Sequence, residues 1–296
     1  MRVSTAVIAV AGYGTRFLPA TKVQPKELMP IVDKPVIQYL VEEVVASGIE
    51  RIVLVTRPGA HDLADHFTDS PGLESQLAQE QKFEQLEAVQ RLSRMASFAI
   101  VRQGTHLPYG NGTPILAAKA FIPKDEAFVY MFGDDLVLST VPCVRQLLDI
   151  YESYQPGAVV AVQDIPRSET YRYGIVRIKS NSEPFEMAGV VEKPSPEDAP
   201  STLAQFGRFV LSSRVIEILE EVEPGKGNEL WLTDALHKLS SEQKVLVHPV
   251  DGKWYTMGDP LRFLIASIEY GLRHPEIGKS LAEYLSTLQL PPGANS

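Results

Sequence analysis

The chain is 296 residues long, 44% hydrophobic and 22% charged, with a formal charge of −9 at pH 7. This is ordinary globular composition, enough for one large domain or a domain with an appendage, and its acidity argues against a surface that coats nucleic acid while leaving room for a local basic cleft. The single cysteine, Cys143, excludes an intrachain disulfide and reads as a small buried hydrophobe; no apolar run approaches membrane-spanning length, and Met1-Arg2-Val3-Ser4 leads into the first strand without a signal peptide, so a cytoplasmic enzyme with no membrane partner is expected.

In chain order, Ala6 to Val10 reads as a buried strand, followed at once by Gly12-Tyr13-Gly14-Thr15-Arg16. The glycines let the chain turn sharply, bare amides around such a turn can face a phosphate, and Arg16 and Lys26 add fixed positive charge. A lone GxG after a strand also suits an ordinary turn. It is not the dinucleotide fingerprint, since Phe17 and Pro19 follow, and no GK[ST] closes a Walker loop. The connection runs on for more than twenty residues through Pro19, Pro25 and Pro30, carrying Phe17, Leu18, Leu28, Met29, Ile31 and Val32. A connection this long and apolar predicts a packed, functional loop.

An amphipathic helix is expected over Val36 to Ala46, closed by Gly48, and a strand over Arg51 to Thr56. A long helix-favouring stretch runs from Leu73 to Arg94, and its glutamine-rich part, Gln76 to Gln90, reads as a solvated face. Strands follow at Phe98 to Arg102 and Phe128 to Phe132, with a helix over Thr113 to Ala120 between them. The alternation predicts an α/β fold with a parallel, doubly wound sheet and right-handed crossovers, whose ligands sit at the carboxyl ends of strands. Gly12, Gln103 and Asp134 should therefore face one crevice. The second half adds strands at Val159 to Val162, Gly174 to Ile178, Gly189 to Glu192, Arg208 to Leu211 and Val245 to Val250, and helices at Leu230 to Leu239, Pro260 to His274 and Ser280 to Leu288, before a tail at Pro291 to Ser296 expected to fray.

Gly133-Asp134-Asp135 ends an apolar strand, and carboxylates there suit a magnesium ion completed by substrate phosphates, although Gly and Asp also favour a plain turn. At Glu192-Lys193-Pro194 a carboxylate can accept vicinal sugar hydroxyls and an ammonium can hold a phosphate monoester, or the pair can be solvated surface. Tyr173-Gly174 precedes a strand where a ligand could approach the backbone closely.

Together these residues resemble the sugar-1-phosphate nucleotidyltransferases, most closely the bacterial UTP–glucose-1-phosphate uridylyltransferase family. The pattern GxGTRxxPxTKxxPKExxP is filled by Gly12 through Pro30; shorter matches are Val101-Arg102-Gln103, Gly133-Asp134-Asp135, Tyr173-Gly174, Val191-Glu192-Lys193-Pro194, Gly207-Arg208-Phe209-Val210 and Leu232-Thr233-Asp234-Ala235. The resemblance implies a Rossmann-like nucleotidyltransferase fold, with a central mixed, mostly parallel sheet flanked by helices, added β elements and C-terminal helices. It implies a catalytic domain over residues 1–259 with a helical extension at 260–296 packed on it.

By the same resemblance, the backbone at Ala11 and Gly12, with Gln103 and Gly112, would hold the uracil base of UTP. Gly14, Thr15 and Arg16 would hold the phosphates that leave as pyrophosphate, and Lys26 would neutralise the α-phosphate. Asp134 would bind Mg²⁺, Lys193 the phosphate of glucose 1-phosphate, and Glu192, Gly174 and Asp135 the sugar side. Arg16, Lys26, Asp134 and Lys193 would carry catalysis, and the family often forms homodimers or tetramers.

Two departures stand out. In Trp254-Tyr255-Thr256-Met257-Gly258-Asp259, Thr256 occupies a position where the family commonly has a metal-binding aspartate. Either Asp134 and the phosphates suffice, or Asp135 or Asp259 compensates, or metal binding is weak. The loop Gly110-Asn111-Gly112-Thr113-Pro114 also departs from the family's usual wording while keeping two glycines. A relative using dTTP or another sugar phosphate, and a non-catalytic regulatory paralogue, are the competing readings.

Overall fold

The computed structural model describes residues 3–179 and 182–289, so the tail at 291–296 lies outside the described residues. Strands β1 (Thr5–Val10), β2 (Arg51–Thr56), β3 (Ser97–Arg102) and β4 (Phe128–Phe132) lie parallel in the order β3-β2-β1-β4. The centres of β1, β2 and β4 are unbroken apolar runs because both faces are covered, as parallel strands require, while β3 at the sheet edge is only partly buried. Between β1 and β2, α1 (Val36–Ala46) buries Val36, Ile37, Leu40, Val41 and Val44 on one face. The stretch expected as one helix is two, α2 (Pro71–Gln79) and α3 (Phe83–Arg94), broken where Gln81 takes φ 56°; neither buries a residue, as a solvated face should not. Helix α4 (Thr113–Ala118) then leads into β4.

Past β4 the sheet becomes mixed. The strands that follow are β5 (Asp135–Leu138), β6 (Ala158–Asp164), β7 (Gly174–Ile178), β8 (Phe185–Glu192), β9 (Leu203–Leu211), β10 (Val245–Pro249) and β11 (Lys253–Thr256). The main sheet has nine strands in the order β3-β2-β1-β4-β9-β6-β10-β8-β7. Strand β9 runs antiparallel to both neighbours, and its register shifts between Gln205 and Phe209. That irregularity lets Ala204 pair with Ile175 of β7, so the far end of the sheet curls back on itself. A separate ribbon pairs β11 with β5 and sets Thr256 opposite Asp135.

Besides a single turn at Asp62–Asp65, two helices went unforeseen. One is α5 (Cys143–Tyr154), which buries Cys143, Val144, Leu147 and Leu148; the other is α6 (Arg214–Glu221), which buries Val215, Ile218 and Leu219. Helical spacing was legible in both. Cys143 is buried, as its small apolar side chain suggested. Helices α7 (Leu232–Glu242), α8 (Pro260–Arg273) and α9 (Gly278–Thr287) complete the chain. Helix α8 is capped by Asp259, which accepts from the Arg262 amide at 3.0 Å, and it packs Phe263 on Phe17 and Tyr270 on Tyr39. No helix among the described residues is long and apolar enough to cross a membrane.

One charge lies at the centre of the packing. Arg208 on β9 is fully buried, and its guanidinium donates to the Glu43 carboxylate at 3.0 and 2.8 Å and to the carbonyls of Gly207 and Asp135 at 2.8 and 2.7 Å. Glu43 lies on α1 and the two carbonyls lie on β9 and just after β4, so these bonds tie α1 and β9 to the turn after β4.

Candidate active site

The ends of β1, β3 and β4 meet as expected. Ala11, Gly12, Gln103 and Asp134 line one crevice of about 370 Å³, together with Lys26, Glu27, Tyr109, Asn111 and Trp231. On one side it continues into a hollow formed by Gly12 to Phe17, Lys26 and Gly258. On the other it opens into a cleft of about 220 Å³ that carries Asp135, Tyr173, Gly174, Glu192, Gln205 and Thr256. Asp134, Asn111 and Lys193 border both the crevice and this cleft. One continuous trough thus joins the three sequence clusters.

The glycine turn is built by local necessity. Gly14 has φ 62°, and a Cβ there would stand 3.1 Å from Thr21 Cγ2. Its carbonyl accepts from the Phe17 amide at 2.9 Å and from the Thr21 hydroxyl at 2.7 Å. The short turn directs Arg16 across the hollow, where Nη1 donates to the Gly258 carbonyl at 3.1 Å.

Beneath that turn, Lys26 Nζ donates to Asp134 Oδ2 at 2.5 Å. Burial opposes the Lys26 charge, but the carboxylates of Asp134 and Glu27 outweigh it and hold the ammonium above its usual value. Glu27 is the residue that sequence reasoning missed most plainly. It is 1% exposed, lines the crevice, and its Oε2 has no hydrogen-bond partner among the described residues. Burial pushes its carboxyl up to about 7, against the pull of Lys26. Its place beside Lys26 in the Pro25-Lys26-Glu27 run was the available signal.

Asp135 departs from its expected role. It lines the far cleft, but it is buried, and its oxygens accept from the Gly207 amide at 2.9 Å and Trp254 Nε1 at 2.7 Å. Burial, with Asp134 adding repulsion, pushes it up to about 6. Its part is to fix the walls around Gly207 and Trp254. Gly112 departs too: its amide donates to the Leu230 carbonyl at 2.9 Å, and a Cβ would meet Leu219 at 2.7 Å, so the residue faces away from the crevice. Gly110 and Asn111 reach the crevice instead.

The far cleft is preorganised by a relay. Gln205 Nε2 donates to Thr233 Oγ1 at 3.2 Å, and Thr233 donates to Glu192 Oε2 at 2.9 Å. Gly174 lies close against this relay: a Cβ there would stand 2.5 Å from Gln205 Nε2, so a larger residue would displace the Gln205 amide. Lys193 adopts φ 48°, a conformation costly for a residue with a side chain, and its Nζ lies 4.6 Å from the centre of the Trp231 ring. Its amide donates to the Tyr173 carbonyl at 3.0 Å. Backbone strain of this kind aims the ammonium into the trough.

The donor set fits a magnesium ion only in a lean form. Among the described residues no three His, Cys, Asp or Glu side chains cluster as a metal site. Asp134 offers one carboxylate, and one or two carboxylates plus phosphates satisfy this ion. Thr256 Oγ1 accepts from the Gly258 amide at 3.3 Å. Neither suggested substitute is free: Asp135 is engaged as above, and Asp259 accepts from Arg172 and Arg262, which hold it down at about 2 against its burial.

A mixed sheet whose strand ends gather a glycine turn, the cations Arg16, Lys26 and Lys193 and the carboxylates of Asp134 and Glu192 in one trough defines a nucleotide-handling transferase of the α/β class. The family model described as nucleotidyl transferase matches residues 5–271. A UTP–glucose-1-phosphate uridylyltransferase of Bacillus subtilis, YngB, is 43% identical over 285 residues, covering 96% of this chain and 95% of that protein. A solved UDP-glucose pyrophosphorylase complexed with UDP-glucose superposes with a TM-score of 0.82 at 36% identity, covering 92% of this chain and all of that one. A UTP-bound enzyme of the same kind from Acinetobacter baumannii gives a TM-score of 0.88 at 33% identity, covering 97% of this chain and all of that one. The chain belongs to the nucleotidyl transferase family, in the group of its UTP–glucose-1-phosphate uridylyltransferases.

Proposed function

We propose that the protein transfers a uridylyl group from UTP to α-D-glucose 1-phosphate, giving UDP-glucose and pyrophosphate. The observation that carries this reading is the single trough: the Gly12–Arg16 turn and Lys26–Asp134 lie at one side and Glu192–Lys193 at the other. Two polyanions can be brought end to end there, and relatives of nearly equal length are named for this reaction.

In this reading a phosphate oxygen of glucose 1-phosphate attacks the α-phosphorus of UTP. The new P–O bond forms as the bond to the β-phosphate oxygen breaks, and pyrophosphate leaves with that electron pair. The attacking oxygen is already anionic near neutral pH, so no general base is needed, and none of the residues lining the trough is a histidine or cysteine. Arg16 and the amides of Gly14 and Thr15 hold the leaving pyrophosphate. Lys26, placed at the α-phosphate, offsets the charge that spreads in the transition state. Gln103 and the backbone at Ala11 and Gly12 hold the base. Glu192, aimed by Thr233, accepts sugar hydroxyls, and Lys193 holds the sugar phosphate. Catalysis is then positioning and charge stabilisation. A magnesium ion on Asp134 and the phosphates would supply Lewis acidity.

Residues 1–259 are read as the catalytic unit and the helices from Pro260 as an extension seated on it, on the support of the Phe17–Phe263 and Tyr39–Tyr270 contacts. Leu261, Leu264 and Ile265 of α8 are exposed, which favours a homo-oligomer that light scattering would detect. One observation favours a second reading. Thr256 leaves the metal shell with one carboxylate, as a nucleotide-binding paralogue without turnover would have. Pyrophosphate release measured with UTP, dTTP, CTP and ATP against several sugar 1-phosphates decides between them. Release confined to UTP with glucose 1-phosphate is expected. Release with another pair changes the substrate, and no release with any pair, alongside UTP binding, establishes the paralogue.

A further inference from the structure

Behind the base side of the crevice lies a second cavity, larger than the first at about 560 Å³. Leu107, Leu116, Leu219 and Leu230 give it an apolar lining, and Arg102 and His106 stand at its rim. Lys119 is also at the rim, but its Nζ is taken by Glu220 at 2.5 Å. Among the described residues the Arg102 guanidinium hydrogen-bonds the His61 ring, at 3.0 Å, and no carboxylate lies within ion-pair distance of it. The cavity therefore pairs an apolar body with one guanidinium that lacks an acidic partner. Its size falls within the range of small-molecule sites.

The wall between the two cavities is a single layer of chain. Tyr109 and Glu229 form a parallel bridge. Leu230 donates its amide to the Tyr109 carbonyl at 2.7 Å and accepts from the Gly112 amide at 2.9 Å. The Leu232 amide donates to Asn111 Oδ1 at 2.7 Å. Along this wall, Tyr109, Gly110, Asn111 and Trp231 face the crevice, while Leu107, Pro108 and Leu230 face the rear cavity. The Pro108 carbonyl accepts the Thr113 hydroxyl at 2.6 Å, which anchors the rear side to α4. Gly110, at φ 141°, is pressed so close to Leu230 that a Cβ would stand 2.3 Å from its carbonyl oxygen, so the two segments move as one.

We propose that the rear cavity is an effector site for a small amphiphilic anion, with its apolar body against the four leucines and its anionic head on Arg102, and that filling it braces the Tyr109–Asn111 wall and tightens nucleotide binding. The coupling half of this proposal rests on the reading of the crevice as a UTP site. Linkage is reciprocal: if the effector tightens UTP, UTP tightens the effector by the same factor.

The test uses 1-naphthyl phosphate as the probe, the full chain, and calorimetric binding of the probe and of UTP, each alone and in the presence of the other. Expected are probe binding to the UTP-saturated protein and equal fold-increases in both affinities. Ala117→Trp, which fills the cavity, should abolish probe binding while UTP still binds; Arg102→Gln, at an exposed position that leaves the fold untouched, should weaken the probe at least about tenfold. Absence of probe binding where UTP binds, displacement of the probe by UTP, indifference to both substitutions, or a fall in UTP affinity overturns the proposal. Failure of UTP itself to bind would instead overturn the uridylyltransferase reading, and probe binding that Ala117→Trp abolishes would still report the cavity.

Discussion

Glu27→Gln isolates the electrostatic cost of the crevice floor. The Glu27 carboxyl is 1% exposed, one of its oxygens lacks a partner, and it is pushed up to about 7 from 4.5. A folded value above the unfolded one means that the folded state binds the proton more tightly. The associated stability is complete below pH 4.5 and is lost as pH rises through about 7. That gap corresponds to about 3 kcal/mol, most of which falls between pH 5 and pH 8. Glutamine is neutral throughout and similar in volume. Urea denaturation of both proteins at pH 5 and pH 8 therefore reads the effect as a difference of differences, in which Asp135, His66 and His248 cancel. The wild-type protein should lose roughly 2 to 3 kcal/mol more than Glu27→Gln between the two values. Parallel pH dependences would refute the reasoning, and would mean that Glu27 is solvated or fully neutralised by Lys26.

Lys26→Ala and Asp134→Ala should each lower turnover by orders of magnitude, on the scale of about 100- to 1,000-fold for loss of one preorganised charge-stabilising group; pyrophosphate release measures it, and near-normal turnover in either variant would remove that residue from the mechanism. Thr256→Asp should tighten Mn²⁺ binding to the UTP complex in calorimetry, and an unchanged affinity would show that the hydroxyl position lies outside the metal shell. Thr233→Val removes the donor that aims Glu192, so KM for glucose 1-phosphate should rise by about tenfold while UTP affinity stays constant. A loss of UTP binding instead would place Thr233 in the nucleotide half.

The parallel half of the fold was readable because each strand has a continuous apolar centre, with β1, β3 and β4 closed by Gly12, Gln103 and Gly133-Asp134, and strand ends of this kind converge by topology alone. Gly12, Gln103 and Asp134 meet for that reason. The mixed half was less readable. Which strand neighbours which depends on long-range pairings, and nothing local at Leu203 to Leu211 announces that it will lie between β4 and β6. Asp135 and Gly112 misled because residue type fixes chemical capacity but not direction. A carboxylate beside Asp134 looks like a ligand until Gly207 and Trp254 are seen to occupy it. Thr233 and Gln205 are neutral polar residues whose value arises only from the partner each one finds.

The position of β9 has a consequence for how the chain is made. Strand β4 and helix α1 leave the ribosome well before residue 208, yet β4 pairs on one side only until β9 arrives, and the carboxylate of Glu43 has no guanidinium until Arg208 follows. A nascent chain ending before this point would present the apolar edge Phe128–Phe132 and an unmatched acid at the heart of a half-built sheet. Such unfinished edges are where aggregation starts and chaperones engage. The trough is therefore assembled late: β9 closes the sheet and neutralises its interior, and Trp231, Thr256 and Gly258, which line the trough, are made later still.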